Sequence, residues 1–393
     1  MQFTLKLKRN LKIFYFANFF AHLLFHISIW VAFQSRILTF TEMGLLYAAR
    51  SAFIVLLEVP TGALADLIGR RTSLVIAWVV SSIGYFLLPF AQTKVVFAAF
   101  YIIPALGEAL NSGSDTALLF DTLKELKQEN HFSKLYARYG LFIRSALAIA
   151  AFFGGYLYTI YFGFPYFAVA VAHMVVGICY FFSVEPHIDS EKFSWSSYII
   201  QTKQGLKELT KTPYIRTLSL YYLLVGGITW SCLTYFILPF LYDSGFGEVA
   251  AGHSMSIVYV CSAIILFIVT HYISLSRKQI YILLPVIMVI GLLPGLLSYG
   301  WFAPIMAVFT QVAGSGRFAL LDGILNQYIQ SKYRATAIST LNMMVSIVSI
   351  VLVSIGGKVQ DTIGTKFIFT SLGLITLIIV FPIAFMLVKE QKE

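Results

Sequence analysis

Mostly apolar runs of about twenty residues follow one another along the whole chain, divided by short polar segments. A run of that length crosses about 30 Å of hydrocarbon as a helix, so each one predicts a membrane span. The pattern predicts helices at roughly 11–33, 42–61, 73–91, 95–120, 138–160, 164–184, 214–242, 250–272, 279–298, 301–328, 337–357 and 366–388. The longest polar connection carries Glu185, Asp189, Glu191, Lys192, Lys203, Lys207, Glu208 and Lys211. It reads as a linker containing an amphipathic helix. The expected architecture is therefore an all-α membrane protein of twelve transmembrane helices: a six-helix bundle over 1–184, a linker over 185–213, and a second six-helix bundle over 214–393.

Composition removes the soluble alternatives. The chain is 59% hydrophobic and 12% charged, whereas a soluble domain carries about 25% charged residues. A net charge of +10 would point to nucleic acid in a soluble protein, but here the basic residues lie in the segments between apolar runs. Such placement reports orientation. Twelve crossings put both termini on one side. Of the 28 lysines and arginines, that side holds twenty-one and the other holds Arg36, Lys94, Lys358 and Lys366, with Arg50, Arg144 and Arg317 inside spans. Both termini are expected in the cytoplasm, in a multi-pass protein of the cell (inner or plasma) membrane. Cys179, Cys232 and Cys261 all sit in apolar runs, so neither a disulfide framework nor a metal cluster is expected.

The two halves echo each other. Gly154-Gly155 recurs as Gly356-Gly357, and Ala117-Leu118-Leu119 recurs as Ala319-Leu320-Leu321 at the same offset. A shared offset in corresponding spans indicates an internal repeat.

Between the second and third spans runs GALADLIGRR, Gly62 to Arg71. Gly62 is read as removing a side chain where a helix end approaches another, and Gly69 as permitting a tight turn. Asp66 can accept backbone N–H groups at a helix N-terminus. Arg70 and Arg71 can pair with an acid at another helix end, for which Asp121 is the candidate. The loop resembles the signature of the major facilitator superfamily. That resemblance implies two six-helix bundles and transport rather than enzymatic activity. The EVPTG segment before the loop and SGSDTALLFDTL in the fourth span are similar to a branch of bacterial facilitators, some with drug-efflux names. Two features depart from proton-linked drug antiporters: Ile103 stands where they carry an arginine four residues before Gly107, and Ala150-Ala151 replaces a glycine-proline pair before Gly154-Gly155.

Charges in the bilayer are costly, so each one needs a partner or a wet cavity. Glu108, Asn111, Ser112 and Asp115 are spaced to share one face of the fourth helix, and Asn18, His22 and His26 repeat every four residues in the first. Arg50 lies near the middle of the second span, Arg144 in the fifth, and Arg317 in the tenth with Gln311, Ser315 and Asp322 nearby. Major facilitators line their cavity mainly with the first, fourth, seventh and tenth helices, so the resemblance implies that these stripes, Tyr222, Trp230 and Arg317 surround one site. Asp115 is a candidate partner for Arg144 or Arg317. Glu108 has no basic residue in its own helix and is the candidate proton carrier.

The expected function is secondary transport of a small organic solute, coupled to protons and directed outward. Nutrient uptake by symport and a non-transporting receptor are the alternatives. No HExxH, phosphate loop or nucleophile elbow supports an intramembrane enzyme. The expected partners are the solute, protons and the lipid bilayer, with no nucleic acid, metal or cofactor, and the chain acts as a monomer.

Overall fold

The computed structural model describes residues 2–186, 195–330 and 333–390. Those residues are helical between short connections, and the Asp189, Glu191 and Lys192 part of the linker lies outside them. In chain order the helices are α1 (Gln2–Ala21), α2 (Trp30–Gln34), α3 (Phe40–Ile68), α4 (Arg70–Leu87), α5 (Lys94–Asn111), α6 (Ser114–Glu125), α7 (Phe132–Ile160), α8 (Phe164–Phe181) and α9 (Trp195–Glu208). There follow α10 (Pro213–Ser231), α11 (Ile237–Asp243), α12 (Glu248–Tyr272), α13 (Arg277–Leu292), α14 (Phe302–Gly316), α15 (Asp322–Tyr328), α16 (Arg334–Thr362), α17 (Thr365–Ile375) and α18 (Phe381–Glu390). Eleven helical stretches among the described residues are long and apolar enough to cross a membrane. The run 301–328, read above as the tenth span, is not among them; Gln311, Arg317 and Asp322 dilute its apolar composition.

Two spans read as continuous are broken. The first ends at Ala21, and a 3-10 turn over Phe25–Ser28 precedes α2. Gly154 of α7 lies against that turn: a Cβ there would sit 2.1 Å from the Phe25 carbonyl oxygen. The fourth span stops at Asn111 and restarts at Ser114, because Gly113 takes a left-handed conformation with φ 73°. Ser-Gly-Ser is the local signal for this break, since only glycine enters that region without strain.

The chain folds as two compact units, Met1–Ile37 with Ala49–Ser194 and Glu248–Ser256, and Leu38–Ala48 with Trp195–Gly247 and Ile257–Glu393. Small residues close the first unit. A Cβ on Gly84 would lie 2.4 Å from Pro104, and one on Gly107 would lie 2.4 Å from the Ala77 carbonyl oxygen, so α4 and α5 meet backbone to backbone. Ala17, Leu74, Leu118, Val176 and Tyr180 fill the core beside them. In the second unit Phe240 stacks on Phe369 at 3.8 Å, and Gly227 gives Val348 of α16 its place against α10. Outward faces carry Leu56, Ile160, Val171 and Ile378, all more than 60% exposed, so the exterior is apolar too. A surface of that kind suits lipid, not water.

Candidate functional site

The signature loop organises one end of the first unit. Gly69, at φ 89°, caps α4 and turns the chain out of α3. The first N–H groups of α4 then point at the Glu185 carboxylate, which accepts from Arg70 N and Arg71 N at 2.8 Å each. An anion at a helix N-terminus satisfies orphan donors and complements the dipole. A Cβ on Gly69 would lie 3.3 Å from that carboxylate, so glycine serves both the turn and the approach.

The side chains of the same loop bind other helix ends. Arg70 Nη1 pairs with Asp121 Oδ2 of α6 at 2.7 Å. Arg71 donates to the Phe181 carbonyl and Arg9 to the Phe182 carbonyl at 2.5 Å, so two cations close the C-terminus of α8. Asn10 clamps the following segment, accepting from Val184 N at 2.9 Å and donating to its carbonyl at 2.8 Å. The Asp66 side chain lies outside the described residues, and Glu185 fills the N-terminal capping role at α4. The close approach expected at Gly62 is not seen among the described residues, since a Cβ there meets none of them within 4 Å.

Deeper in this unit, Arg50 of α3 donates to Glu108 of α5. The arginine side chain is 16% exposed and the glutamate 43% exposed. Arg50 also lies over the Tyr101 ring at 5.6 Å. Glu108, for which the sequence offered no basic partner within its own span, therefore takes its compensating cation from another helix, 58 positions away.

The two polar stripes do not persist as single faces, because each helix breaks. Asn18 Nδ2 donates to the Phe14 carbonyl, and a His22 ring nitrogen meets the Asn18 carbonyl at 2.8 Å. His26, carried on the 3-10 turn, stacks on Tyr166 at 5.3 Å and lies 5.0 Å from Tyr85. Its Nδ1 is buried without a hydrogen-bond partner among the described residues. In the fourth span Glu108 and Asn111 stay on α5, Ser112 donates to Glu58 at 2.8 Å, and Asp115 moves onto α6. The Asn111 Oδ1 is buried without a partner among the described residues. The Asp115 carboxylate accepts from the N–H of Thr116 at 2.6 Å and its hydroxyl at 3.1 Å. Arg144 is half-buried on α7.

The second unit holds its own polar cluster. Arg317 opens a π-helical turn over Arg317–Leu321, is 2% exposed, and donates to Asn342 of α16 at 3.1 Å. Its guanidinium lies over Phe318 at 3.9 Å and Tyr222 at 4.7 Å. The Tyr222 hydroxyl donates to Asp322 at 2.7 Å, and Gly226 leaves room for the arginine, which would lie 3.1 Å from a Cβ there. Gln311 meets Ser315 at 3.5 Å, and Trp230 edges Phe318 at 6.5 Å. π-Turns of this sort favour functional positions. Arg277, the remnant of the second-half loop, donates to Tyr328 and to Gln327 at 2.5 Å.

Glu185, Asn10 and Asn342 escape the sequence reading as site residues. Asn342 left one signal, a lone amide in the apolar run of α16. Among the described residues no three His, Cys, Asp or Glu side chains are placed to hold a metal ion.

Comparison with known proteins gives this geometry a family. The chain is 22% identical over 358 residues to an uncharacterized MFS-type transporter, YxaM of Bacillus subtilis (strain 168), covering 89% of this chain and 88% of the relative. Its fold is like that of the nucleoside transporter NupG, with TM-score 0.70, 14% identity and 100% of both chains covered. It is also like a bacterial homologue of the human lysosomal transporter Spinster in an inward-facing, occupied conformation, with TM-score 0.73, 14% identity, and 98% and 96% covered. The POT family transporter PepTSo superposes with TM-score 0.74 at 9% identity, covering 98% of each chain. The family model for the Major Facilitator Superfamily matches residues 13–309. This chain therefore belongs to the major facilitator superfamily, a family of membrane transporters and not of enzymes.

Proposed function

We propose that the protein is a secondary active transporter that exports a small organic solute by alternating access, with protons as the coupling ion. The observation that carries this reading is the Arg50–Glu108 ion pair between two apolar helices of one unit, with the acid the more exposed partner. Such a pair has two states. Ionised Glu108 holds the guanidinium; a proton bound to Glu108 neutralises it and frees Arg50 for another acceptor. Loss of that proton restores the pair, so proton binding and release on opposite sides of the membrane would complete a coupled cycle.

In this reading the run 301–328 is the tenth of twelve spans, both termini are cytoplasmic, and the chain works as a monomer in the cell membrane. The six-span halves are 1–184 and 214–393, joined by the linker. Arg317, Tyr222, Asp322 and Asn342 give the second half a polar cluster of its own. NupG and PepTSo, of similar fold, share 14% and 9% identity with this chain in the structures compared above and say nothing of its solute.

A thermal-shift screen of the purified protein against drugs, sugars, amino acids and organic anions identifies a ligand without any assumption about coupling, since binding to the native state raises its stability. In proteoliposomes, that ligand should move in response to a proton gradient. Glu108→Gln should abolish gradient-driven movement and keep counterflow exchange, which needs the moving helices but no net proton release. Full gradient-driven transport by the variant, or indifference of the wild type to the gradient, would overturn the proton assignment. Binding without any transport would indicate a receptor.

A further inference from the structure

The linker helix α9 has two unlike faces. Gly205 presses on α16, where an added Cβ would lie 3.1 Å from the Thr340 hydroxyl and 3.2 Å from Ala337 N. Leu209 just beyond the helix and Glu208, both buried, belong to this side. Glu208 accepts from Lys211 at 2.7 Å and from Gln330 N at 3.2 Å, so the acid next to the helix end is already taken up. At 100° per residue, Ile199, Ile200, Lys203, Leu206 and Lys207 fall together on the opposite side. That face is exposed: Ile199 49%, Ile200 54% and Leu206 46%, with both lysines exposed as well. It contains no acid. Among the described residues neither lysine forms a salt bridge.

Three large aliphatic side chains in water are unfavourable, and two lysines between them do not make the face a solvated one. The arrangement fits an interface instead. Aliphatic side chains enter the boundary of the acyl chains while lysine stems lie along it with their ammonium groups at headgroup level. Position agrees, because α9 ends at Glu208 and the apolar stretch of α10 begins at Pro213. A chain segment that short keeps the helix close to the membrane surface.

We propose that the Ile199–Ile200–Leu206 face of α9 is a lipid-binding surface that seats on the adjoining leaflet and selects anionic phospholipid headgroups through Lys203 and Lys207. This surface is independent of the transported solute and of the coupling ion.

The test uses the full chain in lipid nanodiscs with a tryptophan introduced by Leu206→Trp, read as the emission added to that of the wild type. Brominated phosphatidylglycerol should quench the added emission more effectively than brominated phosphatidylcholine, with a preference of about fivefold for each lysine near the surface. Lys203→Gln with Lys207→Gln should bring the two lipids to parity while quenching persists. Ile199→Trp reports on the same face and serves if the first variant misfolds. Absence of quenching by either lipid would mean that water or a protein covers the face, and would overturn the proposal. Equal quenching by both lipids in the otherwise wild-type protein would overturn the anionic selection.

Discussion

Removing the two members of the Arg50–Glu108 pair should have unequal consequences, and the inequality follows from their exposure. An exposed pair contributes at most about 1 kcal/mol, whereas stripping one partner from a fully buried pair costs about 3–5 kcal/mol. This pair lies between those limits, with the arginine 16% and the glutamate 43% exposed. Glu108→Gln leaves the less exposed charge without its carboxylate, and the Tyr101 ring at 5.6 Å is a weak substitute, so we expect a loss of about 2 kcal/mol. Arg50→Met leaves the more exposed of the two charges and places an apolar side chain among apolar helices, so its loss should be the smaller of the two, below about 1 kcal/mol. The double variant should be less destabilised than Glu108→Gln alone, with a coupling of about 1–2 kcal/mol. Reversible unfolding of the purified protein in one defined micelle, read by tryptophan fluorescence for all four proteins, measures this cycle. Losses that add to within about 0.5 kcal/mol would refute the pair, and a larger loss for Arg50→Met than for Glu108→Gln would refute the argument from exposure.

Glu185→Ala removes the acceptor of two N–H groups at the start of α4 and should cost about 1 kcal/mol, as loss of a helix cap does, with a smaller loss for Glu185→Gln, which keeps one oxygen. Identical unfolding of Glu185→Ala and the wild type would remove the capping role. Gly107→Val should disrupt α4–α5 packing by about 1–3 kcal/mol or prevent expression, because even its Cβ would lie 2.4 Å from a carbonyl oxygen. Gly62→Ala, with no described residue within 4 Å of the new Cβ, should be tolerated; equal effects at the two glycines, read by expression and unfolding, would contradict the packing.

Apolar runs, the basic-residue pattern and the GALADLIGRR loop were enough to indicate a helical membrane protein of this superfamily, because lipid imposes one requirement that can be read locally. Every span must hold its own backbone hydrogen bonds and present about twenty apolar residues. Approximate helix positions follow from the same rule, and so does the prominence of Glu108, Arg50 and Arg317, since charge is conspicuous where it is expensive. Partners are another matter. Arg50 meets Glu108 58 positions away, and Arg70 and Arg71 give their N–H groups to Glu185 115 and 114 positions away. Arg317 finds Asn342 on α16. Periodicity along one helix tells which residues share a face, not which face of another helix it meets. The stripes expected over Asn18–His26 and Glu108–Asp115 are interrupted for a related reason: a 3-10 turn and a glycine at φ 73° break the helical register within them. Facing is decided by close packing, where Gly84, Gly107 and Gly154 admit neighbours that any larger side chain would hold off, and that contact exists only once the helices have assembled.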